Sequence, residues 1–131
     1  MPIATPQRKP FDRWRHWYSR VFPAYLVFLF LVQHLPHPGA LPGGASDKHV
    51  HVIAFGVLAF FFWRFIEATT GRISHQFILV AIPLLLLYAA FDEYTQQYFD
   101  RSTDIADWIA DALGIVVVCA LLEWHRRRAR S

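Results

Sequence analysis

Between two apolar runs this chain carries FDEYTQQYFDRSTDIADWIADALG, from Phe91 to Gly114. The stretch holds six acids (Asp92, Glu93, Asp100, Asp104, Asp107, Asp111), the amides Gln96 and Gln97, and one base, Arg101. Ionisable groups beside lipid-like sequence are costly unless they face one another, a cavity or water. That requirement limits the fold more than any other feature. The stretch must close one end of a helix bundle, and a second polar segment, Asp47-Lys48-His49-Val50-His51, is the matching half of a site.

The rest of the sequence fits that frame. Hydrophobic residues make up 55% and aromatics 17% of the 131 residues, high for a soluble chain and enough for one domain. Four apolar runs are legible: Val21–Leu35, Asp47–Ile66, Gln76–Phe91 and Asp104 or Ile105–Trp124. Their purely apolar cores, about 15–18 residues each, lie at the short end of what crosses a bilayer. The last three lengthen sufficiently if their polar outer turns are counted, which sets those turns at headgroup depth. The expected fold is all-α, an integral membrane four-helix up-down bundle. Ser46 or Asp47 can cap the second helix. Pro23 suits a first helical turn, Pro83 should kink the third helix, and Gly71 marks a short turn over Glu67–His75. A cleaved signal peptide is the rival reading of the first run. The long, proline-bearing gap from Leu35 to Ala45 (Pro36, Pro38, Pro42) argues against it.

Charge sets the orientation. The net charge of +3 invites a nucleic-acid reading, but the bases are grouped around the apolar runs, as a topology signal is. Arg8, Lys9, Arg13, Arg15 and Arg20 precede the first run, and Arg126, Arg127, Arg128 and Arg130 follow the last. With Arg64 and Arg72 these make eleven bases on the side of the termini, against Lys48 and Arg101 on the other. Both termini are therefore expected in the cytoplasm. Residues 1–20 read as a basic segment, disordered to about Pro10 and then interfacial, with Trp14, Trp17 and Tyr18. Residues 21–124 form the membrane domain and 125–131 a basic tail. Cys119 stands alone, which excludes an intramolecular disulfide and a cysteine metal motif.

Under this topology the polar residues of both segments share the outer side. Asp104, Asp107, Asp111 and Gly114, spaced 3, 4 and 3, form one helix stripe. A stripe of three carboxylates cannot face lipid and needs cations or donors. Lys48, His51 and Arg101 are the candidate partners, and Gly114 permits close helix approach. Asp47 and His51 are one turn apart, as are Glu93 and Gln96 or Gln97 if helix continues past Asp92. His49 is expected in solvent, His34 and His37 at the interface, and His16, His75 and His125 solvated on the cytoplasmic side. Trp63, Trp108 and Trp124 read as belt or packing residues. The whole cluster also has a plainer reading, as an ion-pair lock between helices.

SDKHVHVIAF (Ser46–Phe55) followed by Asp92–Gly114 resembles the VanZ-like family of small bacterial membrane proteins. Its pattern pairs Asp-Lys-x-x-His with a Glu-x-x-Gln, Arg, Asp, Asp and Asn/Asp-x-x-Gly segment. Here these are Asp47, Lys48 and His51, then Glu93, Gln96, Arg101, Asp104, Asp107, Asp111 and Gly114. Asp111 stands where asparagine is usual. The resemblance implies a multi-pass protein of the bacterial inner membrane and a link to low-level resistance to the glycopeptide teicoplanin. The expected ligand-binding set is Asp47, Lys48, His51, Glu93, Gln96, Arg101, Asp104, Asp107 and Asp111. The expected partner is an envelope lipid or lipid-linked cell-wall intermediate, with Lys48 and Arg101 on a phosphate. Nucleic acid is not expected as a partner. An enzyme acting on a lipid-linked phosphate or sugar is the alternative. In it, His51 or Glu93 would be general acid or base, and Glu93, Asp104, Asp107 and Asp111 would be the candidate ligands of a divalent cation. A proton- or cation-coupled transporter would need a homo-oligomer to supply a path across the membrane.

Overall fold

The computed structural model describes residues 10–35, 47–99 and 103–129, with side chains from Trp14 onward. Four helices follow in order: α1 (Pro10–Gln33), α2 (Asp47–Thr70), α3 (His75–Gln96) and α4 (Ile105–Arg128). A single 3-10 turn, Gln97–Phe99, extends α3. Among the described residues there is no strand.

Capping chemistry, rather than the end of apolarity, sets the helix ends, so each helix outruns its apolar core. α2 continues past Ile66 to Thr70. There Gly71 takes φ 78° and its N–H donates to the Glu67 carbonyl at 3.0 Å, a left-handed stop that glycine adopts without steric cost. α3 starts after Ser74, whose hydroxyl accepts the Phe77 N–H at 3.1 Å. It runs unbroken through Pro83 and beyond Phe91 to Gln96. α4 starts after Asp104, whose carboxylate accepts the Ala106 N–H at 2.9 Å. Its end carries His125, Arg126, Arg127 and Arg128, cations placed where the helix dipole is negative.

α1 departs most from expectation. It begins at Pro10, so the segment read as interfacial and the first apolar run are one helix, and Pro23 lies inside it rather than in its first turn. The first half includes Asp12, Arg13, Arg15 and Arg20. By length and composition three helices are apolar enough to cross a membrane, Asp47–Thr70, His75–Phe99 with its 3-10 turn, and Ile105–Arg128; α1 is not one of them.

The burial pattern inverts that of a soluble protein. Val80, Ile53 and Leu87 are 65–68% exposed, whereas His51, Asp92, Gln96 and Asp111 are at most 1% exposed. Exposed apolar side chains on three long helices with polar groups inside suit a lipid surround. The apolar core joins Leu29 of α1, Phe55, Leu58 and Ala59 of α2, Leu85 and Ala89 of α3, and Ile115 and Cys119 of α4. α2 and α4 touch through backbone. A methyl group on Gly114 would fall 2.2 Å from the Val52 carbonyl oxygen and 3.0 Å from the Gly56 nitrogen. That contact holds the two helices at a distance only glycine allows. It lies directly below the ends that carry the polar groups.

Candidate functional site

The end of α1, the start of α2, the end of α3 and the start of α4 converge on one polar cluster. Lys48 Nζ donates to Asp104 Oδ2 at 3.1 Å and to Asp107 Oδ1 at 2.8 Å. One turn deeper, His51 Nδ1 donates to Asp111 Oδ1 at 2.8 Å, with both side chains out of solvent. The Gln33 side-chain nitrogen of α1 packs 3.3 Å from the same imidazole nitrogen, a contact between two donors while Nδ1–H is given to Asp111. The other imidazole nitrogen, Nε2, lies 3.9 Å from Asp107 Oδ2 and has no hydrogen-bond partner among the described residues. The stripe Asp107, Asp111, Gly114 thus faces α2, and each of its acids meets a cation or a donor from α2.

α3 contributes a second layer. Gln96 Nε2 donates to Asp92 Oδ2 at 3.0 Å, and Glu93 accepts the Asp104 backbone N–H at 2.5 Å. His34 of α1 donates through Nδ1 to the Phe30 carbonyl at 2.6 Å and accepts the Thr95 hydroxyl through Nε2 at 2.9 Å. His34 Nδ1 is also 3.9 Å from Asp92 Oδ1. The structure buries His34 at 6% exposure, because the end of α1 packs against the end of α3. Arg101 and His37 lie outside the described residues.

Of the expected ligand-binding residues, Asp47, Lys48, His51, Asp104, Asp107 and Asp111 come together, and Glu93 joins them through the Asp104 backbone. Gln96 donates to Asp92, one turn before it on α3. Of the four acids named as metal candidates, Asp104 and Asp107 share Lys48, Asp104 also caps α4, Asp111 holds His51, and Glu93 holds the Asp104 N–H. The set whose ligand atoms lie within 4.8 Å of one another is Asp47, His51 and Asp107. Gln33, His34, Asp92 and Thr95 also belong to the cluster and were not among the expected site residues. Their signal was present for Gln33 and His34, two polar residues at the end of an apolar run.

Asp104 lies outside the three membrane-length segments. Its carboxyl is held below the usual carboxylate range, first by the Ala106 N–H and then by Lys48.

Beside the cluster, α3 and α4 enclose a cleft of about 630 Å³ lined by Ala90, Glu93, Tyr94, Gln97, Asp104 and Trp108 among others. Two aromatic rings, two carboxylates and an amide face one space. Trp108 is half-buried on the core and donates to the Leu86 carbonyl at 3.4 Å, which fixes its ring at the cleft wall. An apolar cleft of about 530 Å³ lies between α1, α2 and α3, lined by Phe22, Leu26, Phe62, Leu84, Tyr88 and Phe91 among others.

The model of the family described as VanZ/LLP1 matches residues 5–126. No curated protein and no solved structure matches the chain.

Proposed function

The chain belongs to the VanZ/LLP1 family, and from that premise we propose that it binds or handles an envelope lipid or a lipid-linked cell-wall intermediate at the outer face of the bacterial inner membrane. In this reading α1 joins the three apolar helices as a fourth membrane helix, through its exposed Val27, Phe28, Leu31, Val32 and Leu35. The bundle is up-down, and the basic termini stay in the cytoplasm. The role that follows is in glycopeptide resistance of the teicoplanin type: a protein that holds or shields such an intermediate changes what the antibiotic can reach.

One observation carries the proposal. The α3–α4 cleft sets the Tyr94 and Trp108 rings beside Glu93, Asp104 and Gln97, a lining that fits a sugar-bearing or phosphate-bearing head. Carboxylates and an amide accept and donate to hydroxyls, and an aromatic ring covers the apolar face of a sugar. Lys48, half-exposed on Asp104 and Asp107, is the cation within reach of a phosphate.

Lipid identification by mass spectrometry on the protein extracted in native membrane patches tests this. The expected result is a glycolipid or isoprenoid phosphate enriched over bulk phospholipid, with the enrichment reduced in Glu93→Gln and Trp108→Ala. Co-purified lipid that matches the bulk membrane in composition overturns the reading. Turnover of the enriched lipid by the purified protein replaces it with the enzyme reading.

A further inference from the structure

We propose that Asp47, His51 and Asp107 form a binding site for a divalent first-row transition metal at the mouth of the helix cluster. His51 is the central ligand. Its side chain is 0% exposed, and its Nδ1–H is committed to Asp111 at 2.8 Å. That bond fixes the tautomer and leaves the Nε2 lone pair available. Nε2 has no hydrogen-bond partner among the described residues. A bare, buried imidazole nitrogen of this kind carries a desolvation cost that needs an explanation.

The direction of Nε2 supplies one. It is aimed at Asp107 Oδ2, 3.9 Å away, and ligand atoms of Asp47, His51 and Asp107 all lie within 4.8 Å of one another. Atoms bound to one ion at about 2.0–2.2 Å sit roughly 3–4 Å apart, so the three residues are within a small side-chain adjustment of a metal's ligand shell. Asp107 can serve two partners, since Lys48 takes Oδ1 and leaves Oδ2 on the imidazole side. Asp111 stands where a metal-binding histidine has its carboxylate partner, orienting the ring and raising its basicity.

The donor set selects the metal class. One imidazole and two carboxylates suit zinc, manganese or iron(II). Magnesium and calcium favour all-oxygen shells, and a copper(I) site would need sulfur ligands. Three protein donors leave room for a further ligand from solvent or substrate. The site stands on its own residues, whether or not the neighbouring cleft takes a lipid.

The test is titration of the full-length protein in lipid nanodiscs with zinc chloride by calorimetry, with cobalt(II) as a visible-absorption probe. The expected result is one zinc per chain, a cobalt spectrum of low-symmetry nitrogen and oxygen ligation, and no comparable binding of magnesium. Asp47→Asn and Asp107→Asn weaken zinc binding at least tenfold. His75→Ala, an exposed histidine on α3, leaves it unchanged. Melting temperature without metal serves as the folding check, and Asp47→Asn, at the half-exposed first residue of α2, keeps the test open if Asp107→Asn does not fold. The proposal fails if the wild type takes up no zinc at 100-fold excess, or binds magnesium equally well. It also fails if folded Asp47→Asn binds zinc and perturbs the cobalt spectrum as the wild type does.

Discussion

The charged groups at the two ends of the bundle are connected in opposite ways. At the end where α2 and α4 begin, half-exposed Lys48 reaches Asp104 and Asp107 and buried His51 reaches Asp111, all from α2 to the start of α4. At the other end the carboxylate pairs seen among the described residues stay within one helix. Arg64 bonds Glu67, and Glu123 holds Arg126 at 2.6 Å and Arg127 at 2.7 Å, spaced i,i+3 or i,i+4. Cross-helix contacts there go to backbone carbonyls or rings: Arg15 to Ala68, Arg126 to Ile73, and Arg64 over Tyr18 at 5.0 Å. Pairs within a helix satisfy charge locally and leave helix arrangement to apolar packing. Pairs across helices make the arrangement a condition of satisfying the charge. The first kind suits a surface, and the second builds a site.

Substitutions sharpen that contrast, the largest effect first. His51→Leu leaves Asp111 buried without its donor, and the expected loss is on the order of 3 kcal/mol, read by chemical unfolding in detergent. A loss below about 1 kcal/mol would mean that the buried pair is no more than a surface contact. Gly114→Ala puts a methyl against the Val52 carbonyl and forces α2 and α4 apart at the level of the cluster. Overpacking of this kind costs about 1–3 kcal/mol, and the same unfolding assay reads it. Glu123→Gln, in a part-buried pair within one helix, is expected to cost about 0.5 kcal/mol or less.

A pH series adds a fourth test. The Asp104 carboxyl is held below the usual carboxylate range in the folded chain, by the Ala106 N–H and then Lys48. A carboxyl lowered on folding stabilises the protein above its unfolded pKa, near 4, and the contribution is lost as pH falls through the lower folded value. The difference in melting temperature between wild type and Asp104→Asn should therefore be constant from about pH 7 to 5. It should narrow below about pH 4. A difference that grows with acidification would contradict the assignment.

The contrast also explains what the sequence reveals. The four helices, the Asp107–Asp111–Gly114 stripe and its need for Lys48 and His51 follow from periodicity and from the cost of charge near lipid. The pairs at the far end are legible directly, because i,i+3 and i,i+4 spacing is local. The register between helices is not local. That Gln33 meets His51, or that Gln96 turns to Asp92 while Glu93 takes the Asp104 N–H, depends on rotations about helix axes that no single segment encodes. The extension of α1 back to Pro10 was hidden for another reason: charged and aromatic residues mark an interface equally well whether they are helical or not. The metal-spaced set was missed because Asp47 and His51 are on one helix and Asp107 on another, so a search among the acids of the Phe91–Gly114 stretch alone could not assemble it.

The central claim, that cross-helix polar pairs at one end hold the site together whereas the other end is satisfied locally, is tested most directly by paired double-mutant cycles. One cycle joins His51→Leu with Asp111→Leu, the other Glu123→Gln with Arg126→Gln, each read as unfolding free energy in the same detergent. The account predicts a coupling of about 1.5 kcal/mol or more for His51–Asp111 and below about 0.5 kcal/mol for Glu123–Arg126. Equal couplings, or the larger one between Glu123 and Arg126, would contradict it.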